Sequence, residues 1–250
     1  MVKKSAVILA GHGSLRSDSG RAMLQIAERL REQGVAPVVE AGFLNYSQPT
    51  LAEAAAGCVA QGATSVIVQP YFLIEGHYVR HDLPQAVRTI ATEHAGVRFT
   101  IAEVLGYHPA LAKLAQQRLA AVDPTPNGHT NLLFVAHGTP LPEANAPIRQ
   151  VLRRVQQTLG YQQAQVAYLD CNQPDIPTAI DQALATAGAA LTILPYFLHL
   201  GRHVREDLPA LFAAARERHP YATIRVAHHL DYDRHLVEVT AERIMASMMC

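Results

Sequence analysis

Two histidines of this 250-residue chain stand in tight glycine-containing turns, His12 in AGHGS and His137 in VAHGT, 125 positions apart. An imidazole placed directly after an apolar run, with glycine beside it, is open to close approach by backbone or ligand, and its neutral form offers a lone pair to a divalent cation or to a proton. A longer motif repeats at the same offset, PYFLIEGHYVRHDLP at 70–84 and PYFLHLGRHVREDLP at 195–209. The later copy carries His203, where the earlier one has Tyr78 with His77 just before it. A third block, GFLNYSQP at 42–49 against AYLDCNQP at 167–174, aligns Asn45 with Asp170. His137, His203 and Asp170 make an N,N,O set of the kind that suits Co2+, Fe2+, Ni2+ or Zn2+, and the first copy has no complete counterpart. An Asp near a strand end also serves as an ordinary turn or cap residue. Arg16, Arg80, Arg202 and Arg205 lie beside these segments and predict a locally basic mouth, because the guanidinium fork suits carboxylates. Pairing with Asp82, Glu206 and Asp207 on a solvated face accounts for them equally well.

For these residues to meet, they must share one edge of one scaffold. The blocks above, with Leu105 and Tyr107 against Leu230 and Tyr232, align without a gap at an offset of 125, half the chain. The chain therefore reads as two tandem copies, expected at 1–123 and 129–250 and joined by the Pro- and Asn-Gly-containing AVDPTPNGHT. In the first copy SAVILA is a buried strand, and residues from about 18 to 33 are a helix opened by a Ser/Asp cap and closed by Gly34. APVVEAGFL is a strand, PTLAEAAAGCVAQG a helix with Pro in its first turn, and SVIVQP a third strand. A connection of about ten residues leads to Asp82, expected to cap a helix that starts Leu83-Pro84. VRFTIAEV and HPALAKLAQQRLAAV complete the copy as strand and helix. The order βαβαβαβα predicts, in each half, a parallel sheet covered by helices, with ligands beyond the carboxyl ends of its strands. His12 and His137 follow a first strand, and the long motif follows a third. Tyr71, Phe72, Tyr196 and Phe197 either pack over the sheet edge or wall a planar ligand.

Composition excludes several other classes. Twenty-one basic residues balance 21 acidic ones, leaving no global field for nucleic acid or an anionic membrane. Three scattered cysteines make neither a disulfide framework nor a CxxC zinc site. The apolar stretch at the start is too short for a secretory signal, and no run approaches the roughly 20 residues of a membrane helix. A soluble, cytoplasmic chain is expected.

The HGS/HGT turn, the P-x-F-L-x-x-G-x-H-x-x-x-D-L-P loop and the tandem unit together resemble the class II chelatases of the sirohydrochlorin cobaltochelatase/ferrochelatase family, over essentially the whole chain. The resemblance implies an α/β fold of two flavodoxin-like lobes with a cleft between them. It implies ATP-independent insertion of Co2+ or Fe2+ into a sirohydrochlorin-type tetrapyrrole, as in cobalamin and siroheme biosynthesis, with the metal as substrate and no permanently bound cofactor. His137 and His203 would hold the incoming metal and accept the pyrrole N–H protons, Asp170 would stand near an acidic ligand position, and His12 would act as a second metal stop or proton acceptor. Arg16, Arg80, Arg202 and Arg205, with Tyr78 and His77, would meet the substrate. Because Tyr78 replaces the loop histidine, the second copy is expected to carry the chemistry. The expected partner is the tetrapyrrole, with no nucleic acid and no membrane, and two copies in one chain predict a monomer or weak homodimer. Phosphoryl transfer through a strand-end histidine competes poorly, since it needs Arg immediately before the His, where Gly11 and Ala136 stand. A non-catalytic metal or tetrapyrrole carrier of the same fold is the other alternative.

Overall fold

Each copy's apolar runs assemble into a four-stranded sheet in which every pairing is parallel. The computed structural model describes residues 4–13, 20–126, 128–185 and 189–249. Strands β1 (Ser5–Gly11), β2 (Val38–Phe43), β3 (Ser65–Pro70) and β4 (Arg98–Ile101) lie in the order β2-β1-β3-β4. Strands β5 (Thr130–Ala136), β6 (Ala164–Tyr168), β7 (Ala190–Pro195) and β8 (Thr223–Val226) repeat that order as β6-β5-β7-β8. Residues Ala6 to Ala10 of β1 are wholly buried, which is why that strand reads as a continuous apolar run rather than an alternating one. The helices are α1 (Arg21–Glu32), α2 (Leu51–Ala60), α3 (Leu83–Glu93), α4 (Pro109–Ala120), α5 (Ala146–Leu159), α6 (Ile176–Ala183), α7 (Leu208–Arg218) and α8 (Arg234–Met248). No helix among the described residues is long and apolar enough to cross a membrane.

Several helix starts differ from expectation. Gly20, with no side chain to offer, is the N-cap of α1, while Gly34 takes the expected place after its end with φ 68°. Thr50 caps α2 in a reciprocal pair with Glu53, so Pro49 precedes that helix instead of sitting in its first turn. Asp82 and Asp207 stand at the N-cap positions of α3 and α7 but accept no capping hydrogen bond. Each closes a single π-helical turn, Tyr78–Asp82 or His203–Asp207, that runs directly into the following helix, with the Leu208 N–H donating to the His203 carbonyl. A helix entered this way has no exposed amide end for the Asp to satisfy, so the Asp207 carboxylate is left for another partner.

The sequence copies and the folded units do not coincide. One compact unit comprises Met1–Gly106 with Arg234–Cys250, and the other Tyr107–Asp233. Helix α8 packs on α1 and β3, and α4 packs on α5 and β7, so each copy's last helix completes the core of the other unit. Polar contacts accompany this packing. Asp123, 5% exposed, accepts from Thr192 Oγ1 on β7 at 2.8 Å. Arg243 of α8 donates to the Leu105 carbonyl at 3.0 Å and pairs with Glu103 at 3.1 Å. Ile244 of α8 is fully buried, and Ile244→Ala is expected to cost about 2–5 kcal/mol. Hydrogen exchange checks the assignment, with protection falling in β1 and β3 while β5 and β7 keep theirs.

Candidate functional site

In the second unit, β6 and β7 flank β5 on opposite sides, so the connections leaving the sheet part at the carboxyl ends of β5 and β7. His137 follows β5 immediately, and His203 opens the π turn after β7. Their rings face each other edge to face, with centroids 5.1 Å apart and planes at 74°. The His137 turn is locked from behind. Gly138 has φ +92°, and a Cβ there would lie 1.9 Å from the Asp170 carbonyl oxygen. The Asp170 N–H donates to the His137 carbonyl at 2.9 Å. Asn172 adds a second fastening, its Oδ1 accepting from the Thr139 N–H at 2.8 Å and from Asn145 Nδ2 at 3.0 Å. Asn172 was not singled out from the sequence. It lies in the repeated block, but the first copy has Ser47 at that place, so the repeat conceals it.

The tautomers follow from these partners. His203 Nδ1 lies 2.7 Å from Asp207 Oδ2, and a carboxylate can only accept, so Nδ1 carries the proton and Nε2 keeps its lone pair. His137 Nδ1 faces the Gly138 carbonyl at 3.3 Å in the same sense. Two neighbouring rings with Nδ1 engaged leave two Nε2 lone pairs, a donor pair for a metal ion or acceptors for two protons.

Asp170 does not join them. Its Oδ1 accepts from the Cys171 N–H at 2.7 Å, and among the described residues it forms no three-ligand group with the two histidines. Strand order supplies the reason, since β6 and β7 lie on either side of β5, roughly 10 Å apart. The carboxylate in contact with the pair is that of Asp207, through His203 Nδ1. Asp170 instead lines a cavity of about 600 Å³ with Arg149, Asn145, Asn172 and Asp175.

The first unit repeats the scaffold with other chemistry. His12 Nδ1 faces the Gly13 carbonyl at 2.9 Å, and the Tyr78 ring stands edge-on to His12 at 4.1 Å. Tyr78 therefore takes toward His12 the place that His203 takes toward His137, and a phenol brings no imidazole lone pair. His77 does not substitute for it, because its ring lies 4.7 Å from His81 and its Nε2 3.8 Å from Asp82. The arginines have local partners. Arg80 lies 3.8 Å from Glu75, Arg202 3.5 Å from Glu206, and Arg205 Nε donates to the Leu200 carbonyl at 3.3 Å. Exposed pairs of this kind are weak, and the Arg202 side chain stays 72% exposed, open to a competing carboxylate. Arg16 lies outside the described residues. Tyr71 and Tyr196 are buried, Tyr196 stacked on Phe134 at 5.2 Å, which makes both packing residues and not a ligand wall. Phe72 and Phe197 are partly buried.

A family model described as CbiX matches residues 6–122 and again 131–247. The chain is 20% identical to a sirohydrochlorin ferrochelatase of Priestia megaterium, over 96% of this chain and 89% of that protein. It is 23% identical to a sirohydrochlorin cobaltochelatase of the same organism, over 95% and 78%. The structure of SirB from Bacillus subtilis with Fe3+ has the same fold, with a TM-score of 0.87 at 19% identity, covering 98% of this chain and 95% of that one.

The close contact behind His137 makes a direct prediction. Gly34 and Gly138 both have positive φ, but a Cβ meets nothing within 4 Å at Gly34. Gly34→Ala is expected to cost about 1 kcal/mol in chemical denaturation, and Gly138→Ala clearly more, because it adds a backbone clash to the same conformational strain.

Proposed function

The chain belongs to the CbiX family in both of its copies, and on that premise we propose that it inserts a divalent metal ion, Co2+ or Fe2+, into a sirohydrochlorin-type tetrapyrrole, without ATP, at the His137–His203 pair. The observation that carries this is the pair itself, two imidazoles 5.1 Å apart whose Nδ1 atoms are both engaged, leaving both Nε2 lone pairs for one visitor.

Insertion exchanges two pyrrole N–H protons for one divalent ion and moves no electrons. The neutral imidazoles hold the ion at one face of the macrocycle, and as it passes to the pyrrole nitrogens the same lone pairs take up the released protons. Asp207 supports both stages. It orients the His203 ring, makes it a stronger donor, and stabilises the imidazolium once the proton has arrived. Arg202 offers its exposed fork to peripheral carboxylates of the substrate. In the first unit His12 offers a single imidazole beside Tyr78. A nitrogen pair follows general affinity trends and does not choose between cobalt and iron.

His137→Ala and His203→Ala are each expected to abolish insertion of Co2+ into sirohydrochlorin while circular dichroism shows an intact fold, since both side chains stand at a solvated edge. If both variants keep wild-type rates and His12→Ala is dead, the first unit is the active one. Asp207→Asn is expected to weaken metal affinity about 10–100-fold, as loss of an outer-shell partner does elsewhere. Turnover separates enzyme from carrier: many equivalents of metallated product support catalysis, and a halt at one equivalent identifies a carrier.

A further inference from the structure

We propose that the second unit holds another divalent-cation site, formed by His228, His229 and Asp231 on the connection after β8, for an ion of the Co2+, Ni2+, Fe2+ or Zn2+ class. One ligand atom from each of the three lies within 4.8 Å of the others, and this is the one such group of three or more His, Cys, Asp or Glu among the described residues. It draws on a different connection from the His137–His203 pair, the one after β8, which is the strand on the other side of β7 from β5.

The buried member points to a ligand. His229 is 3% exposed, and its Nε2 is buried without a hydrogen-bond partner. Burial, with His228 beside it, pushes the imidazole down to about 4. His228 Nδ1 lies 3.0 Å from the His229 carbonyl, which can only accept, so the proton is on Nδ1 and the His228 Nε2 lone pair is available. Ligand atoms bound at about 2.0–2.2 Å in tetrahedral geometry stand about 3.4 Å apart, so closing on an ion takes only small rotations of exposed His228 and half-buried Asp231.

The backbone beneath is held still. Arg118 of α4 donates to the carbonyls of His229 at 3.2 Å and Leu230 at 2.7 Å, and pairs with Asp233 at 3.3 Å. Arg118 is a cation near His229 and opposes a metal ion there, with Asp231 and Asp233 offsetting it. The Leu230 N–H donates to the Phe197 carbonyl at 3.0 Å, tying this connection to the segment that leads to His203.

Comparison of the copies shows that the fold does not require these residues. At an offset of 125 the first copy has Glu103, Val104 and Gly106. Gly106 has φ 60° and Asp231 φ 51°, so the same left-handed position exists in both copies, filled by glycine in one and by Asp, at some conformational cost, in the other. Three residues that the backbone does not demand supply two nitrogens and a carboxylate to one spot, a donor set for a borderline ion.

Calorimetric titration of Co2+ tests the site in the full chain, without a polyhistidine tag, carrying His12→Ala, His137→Ala and His203→Ala. One Co2+ per chain is expected, with affinity falling at least tenfold on adding His228→Ala or Asp231→Gly. The glycine variant leaves the backbone conformation undisturbed, as Gly106 shows. Absence of uptake by the triple variant, or uptake undiminished with His228→Ala and Asp231→Gly combined, overturns the proposal. The readout is occupancy and not turnover, so it stands whether or not the chain inserts metal.

Discussion

The candidate centre depends on a backbone contact. Gly138 turns with φ +92°, and the space a side chain would need is already filled by the Asp170 carbonyl. That closeness ties the end of β5 to the connection after β6 and leaves His137 one direction in which to project. The crevice between the ends of β5 and β7 then receives His203 from the other side, because a π turn instead of an ordinary cap starts α7. The freed Asp207 carboxylate fixes the His203 tautomer. Remove the glycine and each later step loses its reference point. Gly13 against the Asn45 carbonyl is the same device in the first unit.

The two units show what such a scaffold holds constant and what it releases. Tyr71 and Tyr196, aligned and both buried, are the same residue in each copy, and replacing a large buried side chain costs several kcal/mol. Residues at the sheet edge carry no such penalty. Tyr78 and His203 occupy equivalent places with different chemistry, as do Gly106 and Asp231. The copies have therefore diverged where packing is indifferent, and a single chain presents one histidine pair and one histidine–tyrosine pair on the same framework.

Exchange of the terminal helices adds a constraint that duplication alone does not. The first unit is finished by Arg234–Cys250, a segment distant in sequence, while the second is the continuous stretch Tyr107–Asp233. Polar contacts fasten these helices, Asp123 on Thr192 and Arg243 on Leu105 and Glu103.

Local patterns in the sequence determined much of this. The apolar runs marked the eight strands, their alternation with helices set the parallel class, and the offset of 125 exposed the duplication. The position of His12, His137 and His203 after strands one and three placed them at the ligand edge. The same motifs carried the likeness to the chelatase family. Proximity between connections was beyond reach, because it depends on strand order, and strand order is not written in local periodicity. Hence Asp170, on the far side of β5, looked like a ligand partner of His203, while Asp207, four residues from His203, looked like a partner for the neighbouring arginines. The meeting of His228, His229 and Asp231 was hidden for a related reason: a left-handed residue and an arginine from a helix more than a hundred positions earlier shape that connection, and only the folded chain brings them together.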